Sequence, residues 1–275
     1  MVIITEKASK KDKKGSEKVA KTAVKKVAKT AVKKVVKTAV KKVVKATVKK
    51  EIEKESIKKS SSSPKIKAIF FDFWGTVVEN GVFPSPVRQV KMILRLNMPF
   101  SDYIVKFESV FMTRTFNTLY EAFENVTKEF SIKPPSFVYD KLVGMWNKNT
   151  ILCHPYPETE EVLKELKKNY KLVLISNTDS LSVPQLIEKF KLSEYFDGFI
   201  YSFETGLLKT NPEMFKKALD IVKLKPEEVL MVGDSLETDV LGAEKAGIKA
   251  VLVDRRDRRE YKNKIIDLTG LKKFL

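Results

Sequence analysis

From Lys65 onward short apolar runs alternate with segments of helical periodicity, and that alternation restricts the possible folds more than any other feature of the chain. Runs rich in β-branched and aromatic residues fall at 66–71, 171–175, 198–201, 229–232 and 249–253, and helical patterns lie among them at 158–168, 183–190, 212–222 and 236–246. Asn211 before Pro212 predicts a helix start, and Gly247 stands where a helix should end. Strand and helix in alternation imply an α/β fold, a doubly wound parallel sheet covered on both faces. Ligands of such a sheet bind at the carboxyl ends of its strands.

Polar residues collect at those ends. Asp72 closes the run Ala68-Ile69-Phe70-Phe71 and leads into a Gly75-Thr76 turn, and Ser176-Asn177-Thr178 follow Leu172-Val173-Leu174-Ile175. Lys209 opens the loop before Asn211, Gly233-Asp234-Ser235 end the fourth run, and Asp239 comes five residues after Asp234. This set, in this order, resembles the haloacid dehalogenase superfamily of hydrolases over residues 65 to 275. The resemblance implies a Rossmann-like core at 65–80 and 153–275 and a small helical cap at 81–152. It implies Asp72 as nucleophile, Ser176 as the hydroxyl on the phosphoryl group, and Lys209 as the cation that neutralises both. Thr76 and Asn177 would lie beside a small phosphorylated substrate. Mg²⁺ would be held by Asp72, Asp234, the backbone carbonyl of Trp74 and Asp239, the last either through the metal's water shell or paired with Lys209. The chemistry agrees: a phosphomonoester dianion repels a carboxylate nucleophile, so the site must supply positive charge.

Trp74 departs from the pattern. Phosphatases of this superfamily usually carry a second Asp at that position as general acid and base, a contribution of about 10²- to 10⁴-fold in rate. Tryptophan neither gives nor takes a proton at neutral pH. The superfamily's 2-haloacid dehalogenases also lack that Asp, but they use no metal and do not usually keep the acidic Gly233-Asp234-Ser235 form. The favoured expectation is a Mg²⁺-dependent phosphohydrolase that prefers leaving groups needing little protonation, such as acyl or aryl phosphates. The alternatives are a 2-haloacid dehalogenase and a catalytically impaired ligand-binding protein.

Within the cap, Ser85-Pro86, Ser101-Asp102 and Pro135-Ser136 mark successive helix starts. Phe100, Phe107, Phe111, Phe116, Phe123 and Phe130 are expected to form its core, and Arg114 is the candidate contact for a substrate anion. Cys153-His154 looks like a ligand pair, but neighbours on an extended chain point apart, so a structural role at the return hinge of Pro155 and Pro157 is expected. Arg255-Arg256-Asp257-Arg258-Arg259 is expected to be a solvated turn, with an anion contact or domain pairing as the other reading.

Residues 1–64 are of another kind. Four octads run from Lys18 to Lys49, beginning KVAKTAVK, and residues 1–65 hold 22 of the 53 basic and 6 of the 35 acidic groups, a balance of +16. Apolar residues every four positions wind around a helix and alternate on neither face of a strand, so a disordered or transiently helical segment followed by the Ser60–Pro64 linker is expected. Such a lysine array neutralises phosphates and implies non-specific nucleic-acid binding, with anionic lipid as the weaker option. A solubilising extension or an upstream translation start is the competing expectation. No run is long and apolar enough for a membrane span, no secretory signal opens the chain, and a single cysteine fits a reducing, cytoplasmic setting.

Overall fold

The computed structural model describes residues 65–275; the octads and their expected disorder and nucleic-acid binding lie outside the described residues. The chain enters through β1 (Ala68–Phe71) and a two-residue strand β2 (Val78–Glu79). Four helices follow: α1 (Pro86–Ile93), α2 (Phe100–Phe111), α3 (Leu119–Glu129) and α4 (Ser136–Leu152). β3 (His154–Pro155) returns antiparallel to β2, Glu79 opposite His154 and Val78 opposite Pro155. Then come α5 (Thr159–Leu166), β4 (Lys171–Ser176), α6 (Val183–Lys189), β5 (Gly198–Tyr201), the single turn α7 (Ser202–Thr205) and α8 (Pro212–Val222). β6 (Val229–Gly233), α9 (Leu241–Lys245), β7 (Lys249–Val253) and β8 (Lys264–Ile265) complete the order.

Six strands form one parallel sheet in the order β5-β4-β1-β6-β7-β8. Alternate residues of β1 supply opposite faces: Ile69 and Phe71 join one apolar cluster with Leu172, Leu174 and Val232, and Ala68 and Phe70 join another with Met214, Phe215 and Met231. Burial on both faces explains why these strands read as unbroken apolar runs. The chain winds away from β1 in both directions, so the switch point lies at its carboxyl end. Phe71 is level with Leu174 on one side and Val232 on the other, so Asp72, Ser176 and Asp234 leave the sheet at one edge.

Helices α1 to α4 pack on a third cluster that includes Tyr103, Phe107, Phe111, Phe123 and Trp146. Phe107, Phe111, Phe116 and Phe123 are buried there as expected, whereas Phe100 is half-buried under Arg88, whose guanidinium sits 4.0 Å from the ring centroid. Ser85 and Pro135 precede helices at the expected places. The second helix begins at Phe100 rather than at Ser101-Asp102. Asn211 caps α8 by accepting the Glu213 N–H at 3.0 Å, and Gly247 takes φ +79° just after α9. Cys153 is buried and His154 is exposed, in keeping with side chains that point apart.

Two expectations hold only in part. The helix expected over 236–246 is divided: a wide π turn covers Leu236–Val240, with Val240 N–H bonded to Ser235 O at 3.1 Å, before α9 resumes regular geometry. Ser235 Oγ accepts the Thr238 N–H while Ser235 N–H donates to Asp239 Oδ2 at 2.9 Å, and this reciprocal pair opens the turn. The arginine cluster is a solvated turn only in part: Arg256, Asp257 and Arg258 are exposed, but Arg255 and Arg259 turn back onto the core. Buried Asp254, at the end of β7, accepts the N–H groups of Arg258 at 2.8 Å and Arg259 at 2.6 Å and folds the segment back onto the sheet edge. Arg255 then donates to Thr76 O at 2.8 Å and Gly75 O at 3.3 Å, pairs with Glu158 at 2.8 Å and stacks on Tyr156. Arg259 donates to the carbonyls of Asp234 and Val253.

Candidate active site

Asp72 emerges from β1 with its backbone N–H still on Val232 O at 2.9 Å, so the sheet fixes where its carboxylate stands. Lys209, from the loop before α8, reaches Asp72 Oδ1 at 2.5 Å and Asp239 Oδ1 at 2.5 Å, and all three are buried. Asp234 lies half-buried beside them, and one carboxylate oxygen from each of Asp72, Asp234 and Asp239 falls within 4.8 Å of the others. Two glycines make this approach possible. Gly75 holds φ +77°, and a Cβ on Gly75 would collide with the Asp234 carboxylate; one on Gly233 would collide with that of Asp239.

Three carboxylates against one ammonium leave the cluster short of positive charge. Burial pushes the Asp72 carboxyl up to about 6 against the pull of Lys209, with Asp239 adding to the rise. Burial and then the Asp72 and Asp239 charges push Asp234 well above its ordinary range. Burial disfavours the Lys209 charge, but Asp239 and Asp72 outweigh it and hold the ammonium above the ordinary lysine range. A hard divalent cation with oxygen ligands fits such a donor set, and Mg²⁺ is one.

Other expected residues fall unevenly around this centre. Ser176 Oγ is buried at the end of β4 without a hydrogen-bond partner among the described residues, an arrangement that calls for an explanation in a native site. Asn177 accepts the Lys209 N–H at 2.9 Å and donates to Glu108 Oε2 at 2.9 Å. Thr76 is fully buried with its hydroxyl 3.4 Å from Asp72 Oδ2, where it steadies the carboxylate. Trp74 packs edge-on to Phe73 and lines the cavity. Arg114 is exposed and is not on the cavity wall.

That cavity, about 580 Å³, opens between the strand ends and α1, α2 and α4. Its wall includes Asp72, Trp74, Lys209 and Asp234 from below and Arg88, Glu108 and Asn149 from the helices. None of these three helix residues stands out in the sequence by spacing or motif, although Glu108, four residues after Ile104 and beside the apolar Tyr103-Phe107-Phe111 stripe, is a carboxylate where water should be scarce. Burial pushes it up to about 7; the Asn177 bond and Lys209 oppose the rise, and Asp239 and Asp72 add to it. The helices are tied to the loop after β4 by Glu108 on Asn177, by the Trp146 indole N–H to Ser182 Oγ at 3.1 Å and Asp179 Oδ2 at 3.3 Å, and by Phe116 N–H to Ser180 Oγ.

Comparison with known proteins agrees with this geometry. The family model of haloacid dehalogenase-like hydrolases matches residues 66–247. The glyceraldehyde 3-phosphate phosphatase of Methanothermobacter thermautotrophicus is 28% identical over 194 residues, 69% of this chain and 86% of that protein. Among solved structures, a phosphatase of the same superfamily from Thermococcus onnurineus superposes with a TM-score of 0.52 at 24% identity over 76% of this chain and 97% of its own. A 2-haloacid dehalogenase from Pseudomonas syringae does so with a TM-score of 0.50 at 18% identity over 76% and 97%. The fold is therefore shared by both chemistries, and the side chains at the strand ends must decide between them.

Proposed function

We propose that this chain, which belongs to the haloacid dehalogenase-like hydrolases, is a Mg²⁺-dependent phosphohydrolase that cleaves a small phosphorylated metabolite through an aspartyl-phosphate at Asp72. One observation carries the reading: the carboxylates of Asp72, Asp234 and Asp239 converge within 4.8 Å at the floor of the cavity, and the ammonium of Lys209 alone does not balance them. A dehalogenase would leave that charge uncompensated at a cost of several kcal/mol. Similarity to glyceraldehyde 3-phosphate phosphatases supports a phosphorylated substrate of small size.

The residues divide the work. Asp72, Asp234, Asp239 and the Trp74 carbonyl would hold Mg²⁺, which would supply charge neutralisation for the phosphoryl group. Lys209 orients the Asp72 carboxylate and neutralises charge on the opposite side. Asp72 attacks phosphorus, and the unpartnered Ser176 hydroxyl gives a phosphoryl oxygen its hydrogen bond. The helical insert acts as a cap that keeps water from the phosphoryl group during attack, and its side chains choose the substrate. A cytoplasmic setting suits a chain whose only cysteine is buried and unpaired. Among the described residues no helix is long and apolar enough to cross a membrane.

The test is phosphate release from an aryl phosphate with Mg²⁺ and with chelator, beside Asp72→Asn. Release that needs Mg²⁺ and falls to background in the variant is the expected result. Chloride release from a 2-haloacid in chelator, without phosphate release, would overturn the reading.

A further inference from the structure

Trp74 leaves no titratable side chain two residues after the nucleophile, but the opposite wall of the cavity carries one. Glu108, on α2, is half-buried, and its accessible part lines the cavity. Its Oε2 accepts the Asn177 side-chain N–H at 2.9 Å, and Asn177 Oδ1 accepts the Lys209 backbone N–H at 2.9 Å. The carboxyl is thus tied, through one asparagine, to the lysine that holds Asp72. Glu108 lines the same cavity as Asp72, Lys209 and Asp234, on its helix wall.

We propose that Glu108 is the proton carrier of the reaction and does from the helical insert what Trp74 cannot do from the nucleophile loop. The inference rests on the phosphohydrolase reading and deepens it. In the first half-reaction Asp72 forms a bond to phosphorus, the bond from phosphorus to the leaving oxygen breaks, and that oxygen takes the electron pair and the Glu108 proton. In the second, water attacks phosphorus and gives a proton to the Glu108 carboxylate. The Asp72–phosphate bond breaks, and phosphate, free Asp72 carboxylate and the Glu108 acid are restored.

Surroundings suit the role. Burial keeps the carboxyl protonated to higher pH than an exposed glutamate, against the pull of Lys209 and the Asn177 bond; Asp239 and Asp72 act with burial. Arg88, Lys209 and Arg259 share its cavity, whereas Tyr103 on the same helix is buried with its hydroxyl on Val87 O. With Glu108 as acid, alkyl phosphates become substrates despite Trp74.

Glu108→Gln keeps the size and the acceptor for Asn177 but carries no proton to transfer. With an aryl phosphate, whose leaving group needs little help, the variant should give a first-turnover burst of one phenol per enzyme at the wild-type rate. Steady-state release should then be slowed about 10²- to 10⁴-fold. With an alkyl phosphate the variant should be slow from the first turnover, and adding Trp74→Asp to it should restore at least about tenfold, the range expected of a replaced acid. Steady-state rates within about twofold of wild type would overturn the proposal. So would loss of burst and steady state in equal proportion without rescue by Trp74→Asp, which marks a side chain that only shapes the cavity. Failure of the underlying reading looks different: the wild-type protein would release no phosphate from either substrate.

Discussion

Lys209 is the residue on which the electrostatics of the site turn. It is the ammonium shared by Asp72 and Asp239, it is 2% exposed, and its removal would leave two buried carboxylates unpaired. Breaking a buried pair in this way costs about 3–5 kcal/mol. Lys209→Met should therefore lose about that much unfolding free energy in denaturant titrations with chelator at neutral pH, and lose phosphate release with it. The pH dependence has a definite sign. Asp72 rises from 3.8 to about 6 on folding, so the folded protein binds the extra proton between those values and is destabilised as pH climbs through them. Lys209 pulls that carboxyl down; without it the folded value rises further. The stability deficit of Lys209→Met should shrink as pH falls toward about 5 and the carboxylates take up protons. A deficit independent of pH would mean that lost packing of the lysine stem, not charge, accounts for it.

At the scale of elements, the loop that follows β1 is held from outside as much as from within. Val77 O accepts from the Thr159 hydroxyl at 2.9 Å and the Tyr156 N–H at 3.2 Å, and Arg255 spans the carbonyls of Gly75 and Thr76. The fork of a guanidinium serves two carbonyls, a carboxylate and a ring face together, which a lysine cannot do. Arg255→Lys should lower stability by about 1–3 kcal/mol, the range for groups left unsatisfied, and lower kcat more than it raises KM. Unchanged kcat would show that the sheet alone positions Asp72. Five strands were legible in the sequence because burial on both faces makes them unbroken apolar runs, and their ends delivered Asp72, Ser176 and Asp234 to one edge, which Lys209 reaches from the loop before α8. The π turn was not, because its cause is the return of Asp239 onto the Ser235 N–H, which helical periodicity does not register. Arg255 and Arg259 read as solvated because their partners are backbone carbonyls, some of them about 180 residues away in sequence, which no side-chain pattern records. Glu108 was hidden for a related reason: a lone carboxylate on an amphipathic helix looks like its polar face until a cavity is seen beside it.

For the whole molecule, the division of charge matters more than its sum. The chain carries +18, yet the 210 residues after Lys65 hold 31 basic and 29 acidic groups, close to balance. An enzyme body of that kind has little general attraction for polyanions, and the cations on its cavity wall are a few placed ones, Lys209, Arg88 and Arg259. The octads concentrate the remaining charge as lysine alone, with no arginine for bidentate base contacts and no aromatic residue for stacking. The two parts should act separately. Full-length protein should be retained on duplex DNA of any sequence at low salt, with an affinity that falls about 10³- to 10⁵-fold between roughly 50 and 200 mM salt if six to ten phosphates are engaged. Residues 64–275, which form a compact unit, should flow through the same column and keep the full chain's kcat on a small phosphate ester. Equal retention of both would place the binding in the body and leave the octads as a solubilising segment. A lower kcat for the shorter chain would mean that the lysines contribute to substrate capture, an effect that should then fade with salt as the Debye length contracts.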